Sequence, residues 1–398
     1  MSTVLAISGA AYGHVTPTLG IIEELVSRGE RVLYFCTEEF KAPIEKAGAE
    51  FRKMKQQEIQ PRMGNGITKD NILFDIAIRT FISYDEVIQD ILTQIKDDKI
   101  DYILFDSMFA VGRMLADILK VPSVSSFAVF ATEEEMKEDD NFVGMEYMEE
   151  HPDMQKYKEV VEKFKKEYKI EVPELTKLLY NHGDLNLAYT SEYFLPDKSL
   201  YDESFKFIGG PQSIIKKEVD FPFEKLKDKV VVYISLGTAF NGMYKGIYQV
   251  FFDALGKEDI VVVLSAYHIG VSEFDIPDNF IVKEFVPQWE VLQYASAAIT
   301  HGGLSTTSDL VYYNVPFLTL PIGGDQPYMA KCFERLGATI ILDKSNLTAE
   351  LVRESVMKVI NEPQYAENIQ KIKESFKQAG GRKAAADAIL DMIHNMNI

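Results

Sequence analysis

Short apolar runs alternate along the chain with amphipathic stretches, the pattern of strands buried on both faces and of helices that cover them. Residues 4–8 (VLAIS) read as a buried strand. A small-residue loop at 9–14 (GAAYGH) follows, then an amphipathic helix from about Thr16 with Leu19, Ile22, Leu25 and Val26 on its apolar face. Pro17 suits the first turn of that helix, where a missing N–H breaks no hydrogen bond. Gly29 ends it, and residues 31–36 (RVLYFC) form the next strand, completing a strand-helix-strand unit. The unit recurs: residues 102–105 (YILF) end at Asp106, a helix runs to about Lys120, and residues 122–126 (PSVSS) open another strand. The first half is therefore predicted to be a parallel α/β sheet.

Residues 132–179 are charge-rich and helical in texture, and the acidic run at 133–140 (EEEMKEDD) is of the kind that lies on a solvated face. Strand-like sequence returns at 185–188 and 207–208, and a polar stretch reaching about Asp228 reads as an interdomain connection. A second α/β series follows, with strands at 230–234, 260–264, 280–282, 297–300 and 316–320. Helices run from Thr348 onward, interrupted at Pro363 and at Gly380 and Gly381. Ligands of open parallel sheets sit beyond the carboxyl ends of the strands, so the loops at His14, Asp106, Ser235, His301 and Pro321 are where chemistry is expected.

With 398 residues, 46% hydrophobic and 26% charged, the chain is globular and long enough for about two domains. Its formal net charge of −19, with no basic stripe, argues against nucleic acid and against an anionic membrane surface as partners. Cys36 and Cys332 lack any CxxC or Cys/His neighbour and fit buried thiols in a reducing compartment. The N-terminus has no cationic start, and no apolar run approaches the roughly 20 residues of a spanning helix. A cytoplasmic protein, monomer or weak dimer, is expected.

The second half carries an ordered series: Phe285, Val286, Pro287 and Gln288; Val291 and Leu292; Thr300, His301, Gly302, Gly303, Ser305 and Thr306; then Asp309, Pro316, Pro321, Asp325 and Gln326. This series resembles the nucleotide-sugar signature of the family 1 glycosyltransferases, which include plant UDP-sugar transferases and bacterial macrolide glycosyltransferases. The resemblance spans the chain, through the Tyr12, Gly13, His14 loop, Asp106, the loop of Ser235, Gly237 and Thr238, and the Gly380, Gly381 pair. It implies a GT-B arrangement, two Rossmann-like α/β domains facing each other across a cleft. Residues 1–215 would bind the acceptor, residues 216–380 the nucleotide sugar, and a helix at 381–398 would pack back on the first domain.

The chemistry of these residues agrees with a donor site. Gly303, Ser305 and Thr306 place backbone N–H groups and hydroxyls at a helix start, where a pyrophosphate fits, and His301 adds a donor. Ser235 and Thr238, flanking Gly237, can reach the phosphates from the first loop of this half. Phe285, beside Val286, offers a flat face for a base, Gln288 an amide for base or ribose, and Asp309 a carboxylate for ribose hydroxyls. Asp325 and Gln326 suit sugar hydroxyls. Against the plant pattern, Ser305 stands for a small amide residue and Asp309 for a glutamate one methylene longer. A site that takes an anion in so acidic a protein is expected to be locally electropositive through backbone amides, the helix start and His301.

His14 lies in a strand-to-helix loop, and an unperturbed imidazole, with a pKa near 6.5, suits general base work. Asp106 could accept from its other ring nitrogen, although an Asp there could equally cap a helix. By resemblance the two are the family's catalytic dyad. The mechanism implied is inverting: His14 deprotonates an acceptor hydroxyl, which displaces UDP from the anomeric carbon. No Asp-x-Asp is present, so no bound metal and no tightly bound cofactor are expected, UDP-sugar being the co-substrate and UDP-glucose the favoured one. Phe81, Tyr84, Phe109, Phe127, Phe130, Phe142 and Met145 are candidate walls of a lipophilic acceptor pocket suited to flavonoids or macrolides, though each suits ordinary core as well. His151, His182, His268 and His394 read as surface or structural. A sugar-nucleotide 2-epimerase is disfavoured because its catalytic acids do not map onto the His14 loop. The alternative function is a catalytically silent, glycosyltransferase-like auxiliary or binding protein.

Overall fold

The computed structural model describes residues 2–55, 67, 71–128, 131–137, 149–211, 220–237, 245–266, 270 and 273–396. The chain divides into two compact units, Met1–Thr190 with Asp197–Gly209 and Ala379–Ile398, and Ser191–Pro196 with Gly210–Gln378.

In the first unit, strands β1 (Thr3–Ile7), β2 (Arg31–Cys36), β3 (Glu50–Lys53), β4 (Tyr102–Asp106), β5 (Ser123–Phe127), β6 (Leu185–Ala188) and β7 (Phe205–Phe207) form one sheet in the order β3-β2-β1-β4-β5-β6-β7. Every pairing in it is parallel. The strand order reverses between β1 and β4, where Ile7 pairs with Phe105, so Ser8 and Asp106 follow at the carboxyl ends of neighbouring strands. β3 escaped prediction because its residues, EFRK, form a short edge strand with little apolar signal.

The first helix spans Tyr12–Ser27 with Ala11 as its N-cap, and Pro17 lies inside it. Its start is several residues earlier than the position of Pro17 suggested. The missing N–H of Pro17 leaves only the Gly13 carbonyl without its partner one turn on, a local loss near the start of a sixteen-residue helix. The His14 and Val15 amides both bond back to Ala11. His14 is therefore a helical residue of fixed direction. Against this helix packs the C-terminal one, Gly381–Met396, which buries Ala385, Ala386, Ile389 and Ile393 and places Arg382 on Glu23 and Asp387 on Arg28 at 2.5 Å.

In the second unit, β8 (Val231–Ser235), β9 (Val261–Ser265), β10 (Phe280–Lys283), β11 (Ala295–Thr300), β12 (Phe317–Thr319) and β13 (Thr339–Ile341) form a parallel sheet in the order β10-β9-β8-β11-β12-β13. Alternate residues of its strands feed two apolar layers: Val232 and Ile234 lie in one cluster, Val231 and Tyr233 in the other. The order reverses between β8 and β11, where Ser235 pairs with Thr300. Among the described residues no helix is long and apolar enough to cross a membrane.

Close approach of helix to sheet is sharpest at Gly112 in the helix Val111–Leu119, where an added Cβ would stand 2.1 Å from the Phe105 Cβ. Gly112→Ala should destabilise the first unit by about 2 kcal/mol, the usual cost of overpacking, read as a lower urea midpoint; an unchanged midpoint would show that Phe105 can yield.

Candidate active site

The reversal in the first sheet brings His14 to Asp106. Asp106 ends β4 with its side chain 3% exposed, and its carboxylate accepts from the Gly9 amide at 3.3 Å and the Met108 amide at 3.1 Å. The His14 Nδ1 stands 3.0 Å from one carboxylate oxygen and 2.9 Å from the other. A neutral imidazole facing a carboxylate through Nδ1 carries its proton there and keeps its lone pair on Nε2. With two backbone donors holding Asp106, the carboxylate is fixed independently of the histidine.

The reversal in the second sheet brings the Ser235–Gly237 turn to the loop after β11. The His301 amide reaches the Ser235 carbonyl at 3.4 Å, and the Gly302 amide donates to Thr300 Oγ1 at 3.2 Å. The His301 ring lies against two glycines: a Cβ at Gly237 would stand 2.6 Å from Nε2, and one at Gly303 2.4 Å. Gly237 also has φ +76°, a backbone that only glycine adopts without strain. Burial pushes the His301 pKa down to about 4, against the opposing effect of a hydrogen bond to the Ser235 backbone. At neutral pH the ring is uncharged, so the electropositive character expected of it reduces to an N–H dipole.

The helix Leu304–Tyr313 starts at the N-cap Gly303 without a side-chain cap, and the buried Ser305 Oγ has no partner among the described residues. Uncapped amides and an unbonded hydroxyl together suit an anion. Thr306 turns the other way, its hydroxyl donating to Gln288 Oε1 at 3.4 Å. The same oxygen accepts from Tyr233 OH at 3.0 Å, while Gln288 Nε2 donates to Asp309 Oδ2 at 2.6 Å. Asp309 is 2% exposed. Both ends of the Gln288 amide are thus assigned, and Asp309 acts together with Gln288.

Phe285 is 36% exposed beyond β10, and Val286 is buried behind it. Trp289, the single tryptophan, packs on Tyr312 and Tyr313 with centroids 4.8 and 4.9 Å apart. Asp325 is the N-cap residue of the helix Gln326–Arg335. The Gln326 side-chain Oε1 accepts from the Ile322 amide at 2.8 Å and the Gly323 amide at 3.2 Å, so it shapes its own loop.

Of the proposed acceptor walls, Phe81, Tyr84, Phe109 and Phe127 are all buried. Phe81 and Phe109 pack edge-on against Tyr84 at 5.2 and 5.3 Å, and Phe127 meets Phe205 at 5.5 Å. Phe81, Tyr84 and Phe109 interlock, and Phe127 lies in the same apolar cluster. Phe130, Phe142, Met145 and Thr238 lie outside the described residues, as does His268. His151 is buried, its Nε2 3.3 Å from Asp75 and its Nδ1 accepting from the Asp153 amide at 3.1 Å, and His182 Nε2 lies 2.9 Å from the Ala131 carbonyl. His394 is exposed in the last helix. Among the described residues no group of three or more His, Cys, Asp or Glu is placed to hold a metal ion.

A Bacillus subtilis protein described as the uncharacterized UDP-glucosyltransferase YojK is 32% identical over 397 residues, covering 99% of this chain and 98% of its own. The chain belongs to the family 1 glycosyltransferases. The NDP-glycosyltransferase YjiC of Bacillus licheniformis is 30% identical, with 95% of this chain and 94% of that one covered. Residues 249–381 match the model of the erythromycin biosynthesis protein CIII-like C-terminal domain. The crystal structure of the glycotransferase of kitacinnamycin shares the fold with a TM-score of 0.79, 23% identity and 98% of each chain covered. The fold of this glycosyltransferase is GT-B.

Tyr233 is the residue of the glycosyltransferase's second unit that sequence reasoning missed. Its signal was a phenol inside an apolar strand buried on both faces, where a hydroxyl needs a partner.

The neutral His301 has a consequence for stability. As pH falls from about 6.5 to about 4 the unfolded chain takes up a proton that the folded second unit refuses, so stability is full above that window and declines through it, by on the order of 3 kcal/mol. Urea unfolding of the second unit at pH 7 and pH 4.5 should show a smaller loss in His301→Asn than in the parent; parallel losses would contradict the buried neutral ring.

Proposed function

We propose that this glycosyltransferase is an inverting, UDP-sugar-dependent O-glycosyltransferase, with UDP-glucose as donor and lipophilic hydroxylated natural products such as flavonoids or macrolides as acceptors. The observation that carries the proposal is the His14–Asp106 contact, which leaves Nε2 of a partly exposed imidazole as a base. His14 takes the proton of the acceptor hydroxyl, whose oxygen bonds to the anomeric carbon as the bond to UDP breaks. Asp106 stabilises the imidazolium that forms. The growing charge on the leaving diphosphate falls to the Gly303 helix start, Ser305 and the His301 N–H, with Ser235, Gly237 and Thr238 contributing from the neighbouring loop.

Phe285 beside Val286 supports the base, Gln288 and Asp309 together serve the ribose, and Thr306 serves them indirectly by holding the Gln288 carbonyl. Asp325 and Gln326 address the sugar. UDP as the nucleotide is supported by the description of the Bacillus subtilis relative, and a macrolide acceptor by the erythromycin-biosynthesis family model.

His14→Ala should lower kcat on an alcohol acceptor by about 10²–10⁴-fold, the usual worth of a general base, while UDP still binds with parental affinity by calorimetric titration. Most of the parental kcat surviving in His14→Ala would remove the base assignment. Absence of any product from the parent enzyme across phenols and macrolides would favour the auxiliary role.

A further inference from the structure

We propose, on the reading of His14 as base and Asp106 as its partner, that Tyr34 is a positioning residue for that pair. A directed chain of hydrogen bonds through its phenol ties the end of β1 and the first helix to β2, and so sets where the imidazole meets the carboxylate.

Ser8, Thr18 and Tyr34 are each at most 2% exposed. Thr18 Oγ1 donates to the Val15 carbonyl at 2.9 Å. Its one proton is thereby committed, so at 2.7 Å it accepts from Tyr34 OH. Tyr34, its own proton used, accepts from Ser8 Oγ at 2.9 Å. The chain therefore has one direction, Ser8 to Tyr34 to Thr18 to Val15.

Both ends lie beside the pair. Ser8 precedes Gly9, whose amide donates to Asp106 at 3.3 Å, and Val15 follows His14, with Thr18 one helical turn on. Asp106 is held by backbone amides of the β1 and β4 loops, whereas His14 depends on the register of its helix. Tyr34 fixes that register to the same β1 end that holds Asp106. Phenylalanine would fill this strand position equally well, so packing alone does not account for a phenol whose burial carries a desolvation cost unless it is bonded. Errors of about 1 Å in such a pair lower rates by up to about 10²-fold.

The test compares two acceptors with UDP-glucose: an aliphatic alcohol, which needs a base, and a nitrophenol already ionised at the assay pH. Tyr34→Phe should lower kcat on the alcohol about tenfold with both KM values unchanged, and alter the nitrophenol rate less than about twofold. Thr18→Val should reproduce this pattern and Thr18→Ser should restore the parental rate. Parental kcat on the alcohol in Tyr34→Phe, or equal losses on both acceptors, would overturn the positioning role. His14→Ala, measured alongside, separates the two readings. If it discriminates between the acceptors and Tyr34→Phe does not, the base stands and the role of Tyr34 falls. If His14→Ala loses nothing on the alcohol, the base reading falls and the positioning role with it.

Discussion

The constraint on which the rest depends is the reversal of strand order in each parallel sheet. Where two adjacent strands send their connections in opposite directions, the loops beyond their carboxyl ends part, and residues at those ends meet a ligand and each other. At β1 and β4 the reversal sets His14 against Asp106; at β8 and β11 it sets the Ser235–Gly237 turn against His301 and the Gly303 helix start. One device, used once per unit, accounts for a histidine–aspartate pair in the first and for two facing loops in the second.

The two sites handle charge differently. Asp106 stays close to an imidazole that can gain a proton and holds it with the help of two amides. His301 is enclosed by glycine backbone and stays neutral, so an anion placed there would meet amide and imidazole dipoles and hydroxyls rather than a full positive charge. The glycines at 237 and 303 are steric requirements of the ring as much as loop formers.

Strand ends were legible in the sequence because the residue type changes there. Histidine, aspartate and paired glycines directly after apolar runs announced the loops at Asp106, Ser235 and His301. What the sequence left hidden depends on register and on direction. Tyr34 and Tyr233 look like core aromatics until the sheet places their hydroxyls beside Ser8 and Thr18, or beside Gln288. The pairing of Gln288 with Asp309 joins residues far apart in sequence and has no local pattern. The helix start at Tyr12 was masked by Pro17, which reads as a first-turn residue but lies inside the helix. The edge strands β3 and β13 are short, and β3 has little apolar sequence.

Direct displacement at the anomeric carbon, with the acceptor oxygen attacking as UDP leaves, is the central claim, and the configuration of the product reports on it without reference to any mutation. Proton NMR of the first glycoside formed from UDP-glucose, whose sugar is α-linked, should show a β-linked product; an α-linked product would contradict the account.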